Sequence, residues 1–479
     1  MKRIIALLTV LALLLAAGCA GGTNHQTDET TEPEKTSDVT TADDANETTN
    51  QQADDVNAAN KPQAAFLLYG AQYPQRAQYP KDEDYGDDYD ALNAAYDRWS
   101  KDRETGRSYD ASKQTGLNGF VTAVTRALLG SAEGENKVCS PVNIYMALAM
   151  LTELTDGSTQ KELLDVLGVK DTAALREQAK ALWDANYLDD GVVKSLMGNS
   201  VWLNDNVNYK KDGALKTLAD DYLASVFSGQ PGDPAYDEAL HGWINDQTND
   251  LLQDSAASLE MDPLMMVTLV STIYFKGRWA DTFAPEANTT ETFHGAKNDA
   301  PCEMMHETGS LGYYQGKGFS AVTKSVINAN GFRFILPDEG VTVDEVLSSQ
   351  AFAEYLTGPA QENYVQVALS VPKFDVQADS NVIPTLEKLG VEKVFDHGAA
   401  DFTPLTEDRD DIAVDEILHS ARVKIDEDGC EAAAFTAVMA MGTSAFLDEP
   451  IRFTLDRPFL FVINGAGGTP LFVGVVNGI

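Results

Sequence analysis

Residues 427–444 read E-D-G-C-E-A-A-A-F-T-A-V-M-A-M-G-T-S, Glu427 to Ser444, and how this stretch is read decides the fold. After Glu431 it is uncharged and poor in large side chains. Taken alone, its alanine content favours a buried helix. As an extended strand it has a different property. Side chains alternate between faces with period two, so Cys430, Ala432, Ala434, Thr436, Val438, Ala440 and Gly442 share a face that is uniformly small. Such a strand can enter between two existing strands at little steric cost, and its backbone groups gain partners as it does so. The rest of the chain chooses between helix and inserting strand.

At the other end, Lys2 and Arg3 precede an apolar run from Ile4 to Leu15, followed by Ala16-Ala17-Gly18-Cys19. This is the layout of an export signal, and the run is shorter than the ~20 residues of a spanning helix. Small residues before a cysteine resemble the lipobox of bacterial lipoproteins. Residues 1–18 are thus expected to be removed and Cys19 lipidated, which anchors the chain at a bacterial cell surface. An ordinary secretory signal with an incidental cysteine, giving a secreted protein, is the alternative.

Residues 19–60 are rich in Thr, Asp, Glu, Asn, Gln and Ala and lack aromatics. They cannot bury enough apolar surface to offset chain ordering and read as a solvated acidic tether. Residues 61–115 form a Tyr-rich extension. Within it Tyr89, Leu92, Tyr96 and Trp99 recur at helical spacing, so one short helix around Asp87 to Arg103 is expected, its apolar stripe docked on the domain that follows. Residues 116–479 show no second linker and are taken as one large domain.

The formal net charge is −39. That argues against nucleic acid and heparin-like polyanions as partners, and leaves the lipid as the only contact with a membrane. Beyond Cys19 the cysteines are Cys139, Cys302 and Cys430, with no CxxC, which supports neither a zinc site nor a disulfide framework. No metal or cofactor is expected. An exported hydrolase finds no support either: Ser158 to Lys161 fits S-x-x-K, but S-D-N and K-T-G do not follow, and His306-Glu307 lacks the second His of H-E-x-x-H. No residue is proposed as catalytic.

The domain opens with helical patterns. Phe120, Val124, Ala127 and Leu128 mark one helix, and a second starts after Ser140-Pro141 with Ile144, Leu148 and Leu151 inward. Thr159 and Glu162 form a T-x-x-E capping box for a third, Ser158 to Leu167. Strand-like segments come later, at Met266 to Phe275, Tyr364 to Lys373, Ala421 to Ile425, Pro458 to Ile463 and Pro470 to Val476. Helices early and strands late argue for an α+β fold.

Several blocks together resemble the serpins, a family of serine protease inhibitors. They are N-K-V-C-S-P-V-N-I-Y-M-A-L-A-M-L (Asn136 to Leu151), G-W-I-N-D-Q-T-N-D-L-L (Gly242 to Leu252), L-V-S-T-I-Y-F-K-G-R-W (Leu269 to Trp279), V-P-K-F (Val371 to Phe374) and D-R-P-F-L-F (Asp456 to Phe461). The resemblance implies a large, mostly antiparallel central sheet, two further sheets and an exposed reactive-centre loop. Glu427, Gly429, Glu431, Ala432, Ala433, Ala434 and Thr436 match the family's hinge, which also takes in Cys430 and Phe435. It implies that a protease cutting this loop is trapped as an acyl-enzyme while the loop enters the central sheet. Cys430 stands where Thr or Ser is usual, and Phe435 is bulkier than usual but faces outward by alternation.

Counting the family's loop spacing from Glu427 sets the scissile bond between Thr443 and Ser444. Counting back from Phe453 favours Ser444–Ala445, and Met441–Gly442 is a third candidate. All are small or medium and uncharged, so an elastase-like or subtilisin-like serine protease is the expected partner, and a trypsin-like one is disfavoured. The resemblance also assigns sheet-opening support to Ser140, Asn143, Ser271, Trp279 and His419, with Ser271 in place of the usual Asn. A monomer is expected. A non-inhibitory serpin acting as a surface binding module is the rival reading.

Overall fold

The helix Pro141–Glu153 begins where the sequence places it. Ser140 caps it, its Oγ accepting from Asn143 N at 3.2 Å, and Pro141 occupies the first turn, where no N–H is needed. Every residue from Pro141 to Glu153 is buried. The expected inward face of Ile144, Leu148 and Leu151 is therefore only part of its contact, and the helix is enclosed on all sides. Glu153 at its end pairs with Arg176 through bonds of 2.7 and 2.6 Å and accepts from Tyr222 OH at 2.8 Å. Among the longer helices in chain order it is α3, after α1 (Tyr89–Gly106) and α2 (Leu117–Leu129) and before α4 (Gly157–Leu167), α5 (Thr172–Asn186) and α6 (Pro234–Thr248).

The computed structural model describes residues 61–106, 109, 116–130, 132–327, 329, 331–359, 362–430 and 449–479. The expectations for the export signal, Cys19, the tether, hinge residues Glu431 to Thr436, and the candidate bonds at Met441, Thr443 and Ser444 lie outside the described residues.

The capping box expected at Thr159 and Glu162 is not formed. Helix α4 starts earlier, at Gly157, and Asp156 caps it by accepting from Gly157 N at 2.7 Å. Thr159 thus lies inside the first turn. Its Oγ1 accepts from Asp401 N at 3.0 Å, while the Glu162 carboxylate accepts from Glu392 N and Lys393 N at 3.2 and 2.9 Å. Both side chains tie the helix to a distant loop. A capping box does form at Thr342 and Glu345.

Among the described residues, two sheets organise the strands. The first holds β1 (Leu67–Tyr69), β3 (Leu188–Asp189), β4 (Lys194–Asn204), β5 (Ala224–Gly229), β6 (Val267–Arg278), β12 (Phe374–Asn381), β13 (Val414–Ile425) and β14 (Gly429–Cys430). Their order is β1-β5-β4-β6-β14-β13-β12, with β3 on β4. The second holds β2 (Lys137–Cys139), β7 (Thr289–His294), β8 (Asp299–Gln315), β9 (Phe319–Lys324), β10 (Phe332–Pro337), β11 (Asn363–Pro372), β15 (Ile451–Thr454), β16 (Phe459–Asn464) and β17 (Pro470–Val476). Among the described residues the two further sheets expected are continuous with each other. The 17-residue β8 pairs with β7 at its start, β11 along its middle and β9 at its end, and so joins them. Strands β3 to β5 also interrupt the helical half, which sequence reading did not anticipate.

Strand β6 reads V-T-L-V-S-T-I-Y-F-K-G-R and is buried except at Lys276 and Arg278, as expected of a central strand covered on both faces. Helix α3 packs against it, and α6 packs on it as well. Strand β13 alternates between buried and more exposed positions instead.

The Tyr-rich extension is an integral part of the first sheet. Strand β1 pairs antiparallel with the edge strand β5, Leu67 opposite Phe227 and Tyr69 opposite Val226, and so covers an edge. Before it, Lys61 and Gln63 bond Asp246 of α6 at 2.7 and 2.6 Å, and Phe66 packs on Tyr236. After it, Tyr73 stacks on Trp183 and Tyr187 at 5.7 and 5.5 Å, and its hydroxyl reaches Gln247 at 3.2 Å. Arg76 donates to Asp184 O at 3.0 Å, satisfying a free carbonyl at the C-terminal end of α5. Helix α1 is held by Trp99 Nε1 donating to the buried Asp190 at 3.1 Å. The expected stripe is only partly docked: Tyr89 is 67% exposed, and the stronger contacts precede the helix. Tyr73→Ala should remove about 2 kcal/mol of stability through lost aromatic packing. Urea denaturation of the full chain measures this, and an unchanged midpoint would refute the docking.

Candidate functional site

Strands β6 and β13 are neighbours only over part of their length. They pair in parallel from Val267 opposite Val414 to Thr272 opposite Ser420. Beyond that point β14 lies between them, antiparallel to both. Gly429 is opposite Arg278 and Cys430 opposite Gly277 on one side, and Cys430 is opposite Ile425 on the other. The first residues of the stretch that opened the sequence reading are thus already seated in the sheet. Cys430 is 2% exposed, with Sγ 3.8 Å from Phe275 O. Glycine is needed beside it, because a Cβ on Gly429 would come within 2.2 Å of Gly277 O.

Three consecutive carbonyls of this segment are received by the chain that leaves β6. Trp279 Nε1 donates to Asp426 O at 3.0 Å, Phe283 N to Glu427 O at 3.0 Å, and Trp279 N to Asp428 O at 2.9 Å. The Asp426 carboxylate closes the turn by accepting from Asp428 N and Gly429 N at 3.0 and 3.1 Å. Glu427 accepts from Lys373 at 2.7 Å and from Asn288 at 2.6 Å. Burial would raise its carboxyl, but these bonds outweigh it and hold the group below the usual carboxylate range. Lys373 and Asn288 were not singled out from the sequence. Lys373 lies inside the V-P-K-F block, but nothing in the chain order pairs it with Glu427.

Four of the five residues assigned a supporting role meet midway along the two strands, where the direct parallel pairing gives out and His419 lies opposite Ser271. Ser140 N donates to His419 Nε2 at 3.0 Å. Ser271 Oγ lies 2.5 Å from Asn143 Oδ1 and 2.9 Å from Asn199 Oδ1. A hydroxyl has one proton, so Ser271 donates to one of these two amide oxygens at a time, and the 2.5 Å contact to Asn143 Oδ1 is the shorter. The N-terminus of α3 therefore pins β13 through Ser140 and β6 through Asn143. The smaller Ser271 does not reach His419 but joins β6 to β4 through Asn199. Trp279, the fifth, stands apart, bonded to Asp426 and Asp428.

His419 is 2% exposed, and burial pushes its imidazole down to about 4, with Asp379 opposing only weakly. It is neutral at pH 7 and accepts at Nε2, as the Ser140 bond requires. The unfolded chain takes up this proton below about 6.5, whereas the folded one does so only near 4. Its contribution is complete above the unfolded value and is lost as pH falls toward the folded one, a change of about 3 kcal/mol. His419→Gln keeps an acceptor but does not titrate. It should flatten the fall in urea midpoint between pH 6.5 and pH 4, and an unchanged slope would show that His419 does not drive it.

The description Serpin (serine protease inhibitor) matches residues 115–478. Serpin-Z2B of Oryza sativa subsp. japonica is 26% identical over 406 residues, covering 77% of this chain and 98% of that protein. The leukocyte elastase inhibitor of Homo sapiens is 28% identical over 382 residues, covering 74% and 96%. Among solved structures, the thermophilic serpin tengpin in the native state superposes with a TM-score of 0.70 at 23% identity, over 78% of this chain and 95% of that one. Human thyroxine-binding globulin follows at 0.68 and 22%, over 77% and 99%. With the family's description spanning residues 115–478, and with its fold shared by a solved serpin, the chain belongs to the serpin family.

Proposed function

We propose that this chain is a single-use inhibitor of serine endopeptidases. The observation that carries the reading is the seat of Cys430 between β6 and β13. It gives the loop a starting register. Continued antiparallel along β6, that register sets Thr436 against Ser271 and Ala440 against Val267, the far end of the strand. The thirteen residue steps from Cys430 to Thr443 span ~44 Å when extended. All three candidate bonds lie beyond Ala440, so a protease attached at any of them is carried past the end of the sheet.

The chemistry follows from that transit. The protease's serine oxygen attacks the carbonyl of Thr443 and forms an ester, while Ser444 leaves as a free amine. The freed loop inserts, and each inserted residue adds ladder bonds worth about 1 kcal/mol each. The protease is pressed against the far end of the sheet, its oxyanion hole and triad are distorted, and water does not release the ester. The native fold is a kinetically trapped state in this reading. The inhibitor is not itself a catalyst and uses no cofactor.

The uncharged candidates at Met441, Thr443 and Ser444 favour elastase-like or subtilisin-like targets, and the relative named leukocyte elastase inhibitor agrees in class. Lipidation at Cys19 would hold the inhibitor at a bacterial surface, with the acidic tether setting its reach. The second reading is a binding module, favoured by the shared fold of thyroxine-binding globulin, whose name describes a ligand carrier.

Incubation with elastase, subtilisin, trypsin and chymotrypsin, followed by denaturing gels and intact mass spectrometry, separates the two readings. The expected result is a covalent adduct with elastase or subtilisin and a released peptide, Ser444 to Ile479 or a near neighbour. Cleavage by every protease with none retained would favour the binding module. Ala434→Arg should convert inhibitor to substrate, lowering the adduct fraction about tenfold, because the charge must be buried unpaired during insertion. Undiminished inhibition in that variant would rule out insertion.

A further inference from the structure

One charged cluster is left unused by this account. Lys324 ends β9 with its side chain 2% exposed, and it pairs with Glu307 of β8, itself only 15% exposed. Its ammonium also donates to Asp281 O at 2.7 Å. It lies over two aromatic faces, 4.3 Å from the centroid of Phe283 and 5.5 Å from that of Trp279. Glu307 Oε1 is buried and has no hydrogen-bond partner among the described residues.

Stability does not account for such a pair. Removing two charges from water costs several kcal/mol, and apolar residues of similar volume are often as good or better. Burial pushes the Glu307 carboxyl up and the Lys324 ammonium down, each toward neutrality, with the attraction between them opposing. The position of the pair is more informative than its energy. Asp281 lies midway between Trp279 and Phe283, and those two residues supply the donors for the carbonyls of Asp426, Glu427 and Asp428. Lys324 grips this five-residue arch from within by its central carbonyl and two rings. The next residue, Ser325, accepts from Ala280 N at 2.9 Å, and Ile327 N donates to Arg278 O at 2.8 Å, which fixes the arch at its entrance. The outer side of the same arch holds the hinge.

We propose that Lys324, oriented by Glu307, is the positioning residue that keeps the Gly429–Cys430 segment seated between β6 and β13. This rests on reading Glu427–Thr436 as the inserting hinge. Without the ammonium the arch loses its internal anchor, its three donors drift, and the two-residue strand leaves the sheet. The hinge then starts outside its slot, and the register for insertion is not preset.

Cys430 reports this directly, because it is buried only while seated. The test is pulsed iodoacetamide alkylation of the full chain, with per-cysteine peptide mass spectrometry. Cys139, buried in β2, serves as the control for global integrity. Lys324→Met should speed alkylation of Cys430 about tenfold with Cys139 unchanged, the signature of local rather than global opening. Lys324→Met/Glu307→Met removes both charges, leaves none buried unpaired, and is the variant expected to fold if the single one does not. It should expose Cys430 as well. Wild-type protection of Cys430 in the double variant would overturn the proposal, since the pair would then matter only when broken, and equal acceleration at Cys139 would overturn it too. Protease adducts are scored in parallel. A wild-type chain that forms none, but whose Cys430 still responds to Lys324→Met, would refute the inhibitor reading and uphold the positioning role.

Discussion

The structure depends on a parallel pair set inside a mostly antiparallel sheet. β6 and β13 run the same way and bond each other directly from Val267–Val414 to Thr272–Ser420. Parallel ladders have slanted bonds and are slightly weaker per residue. One strand running the other way between them would replace a single parallel ladder by two antiparallel ones. Gly429 and Cys430 already do this for two residues. The sheet is complete in its bonding yet incomplete in its topology, and the remaining features either hold that state or prepare its change.

Much of this was legible in the sequence, for identifiable reasons. The buried helix after Ser140 announced itself through a serine cap, a proline and an uninterrupted apolar run. The strands at β6, β11, β16 and β17 stood out through dense Val, Phe and Tyr bounded by Gly and Pro. What could not be read were relations between distant residues. Thr159 and Glu162 satisfied a local pattern but were recruited by Asp401, Glu392 and Lys393, whose arrival no local rule encodes. The pairing of Glu427 with Lys373, the junction of two expected sheets along β8, and the strand added by Leu67 to Tyr69 are likewise products of tertiary proximity. Lys324 left a faint trace, a lysine closing the strand F-S-A-V-T-K, but its partner lies in another strand.

The extension bears on the same balance from the opposite edge. Through β1 it extends the β5 side of the sheet, through Lys61, Gln63 and Tyr73 it bonds α6, and through Arg76 and Tyr73 it grips the end of α5. Helix α6 packs on β6, and α5 packs on the buried α3. The extension therefore links the β5 side of the sheet to the helical body that packs on it. An edge strand left bare would invite pairing with other chains, and the same contacts cover that edge.

Admitting a full strand requires β6 and β13 to separate by one further strand width, ~4.8 Å. At the hinge end this is already done, and the arch from Trp279 to Phe283 holds it open. Midway along the strands, where their direct pairing begins, the N-terminus of α3 bonds both at once, β13 through Ser140 and His419, β6 through Asn143 and Ser271. A shift of that size exceeds the reach of any hydrogen bond, so at least one of these two links must break before the direct pairs can. Their breaking exposes no new surface to water until the strands part, and the loss is recovered only when a strand arrives. That ordering, cost first and recovery later, is what a kinetic barrier consists of. For the proposed insertion it would place the barrier at the buried polar cluster around His419 and Ser271, midway along the two strands, and the starting point at Cys430, which faces Gly277 further along β6.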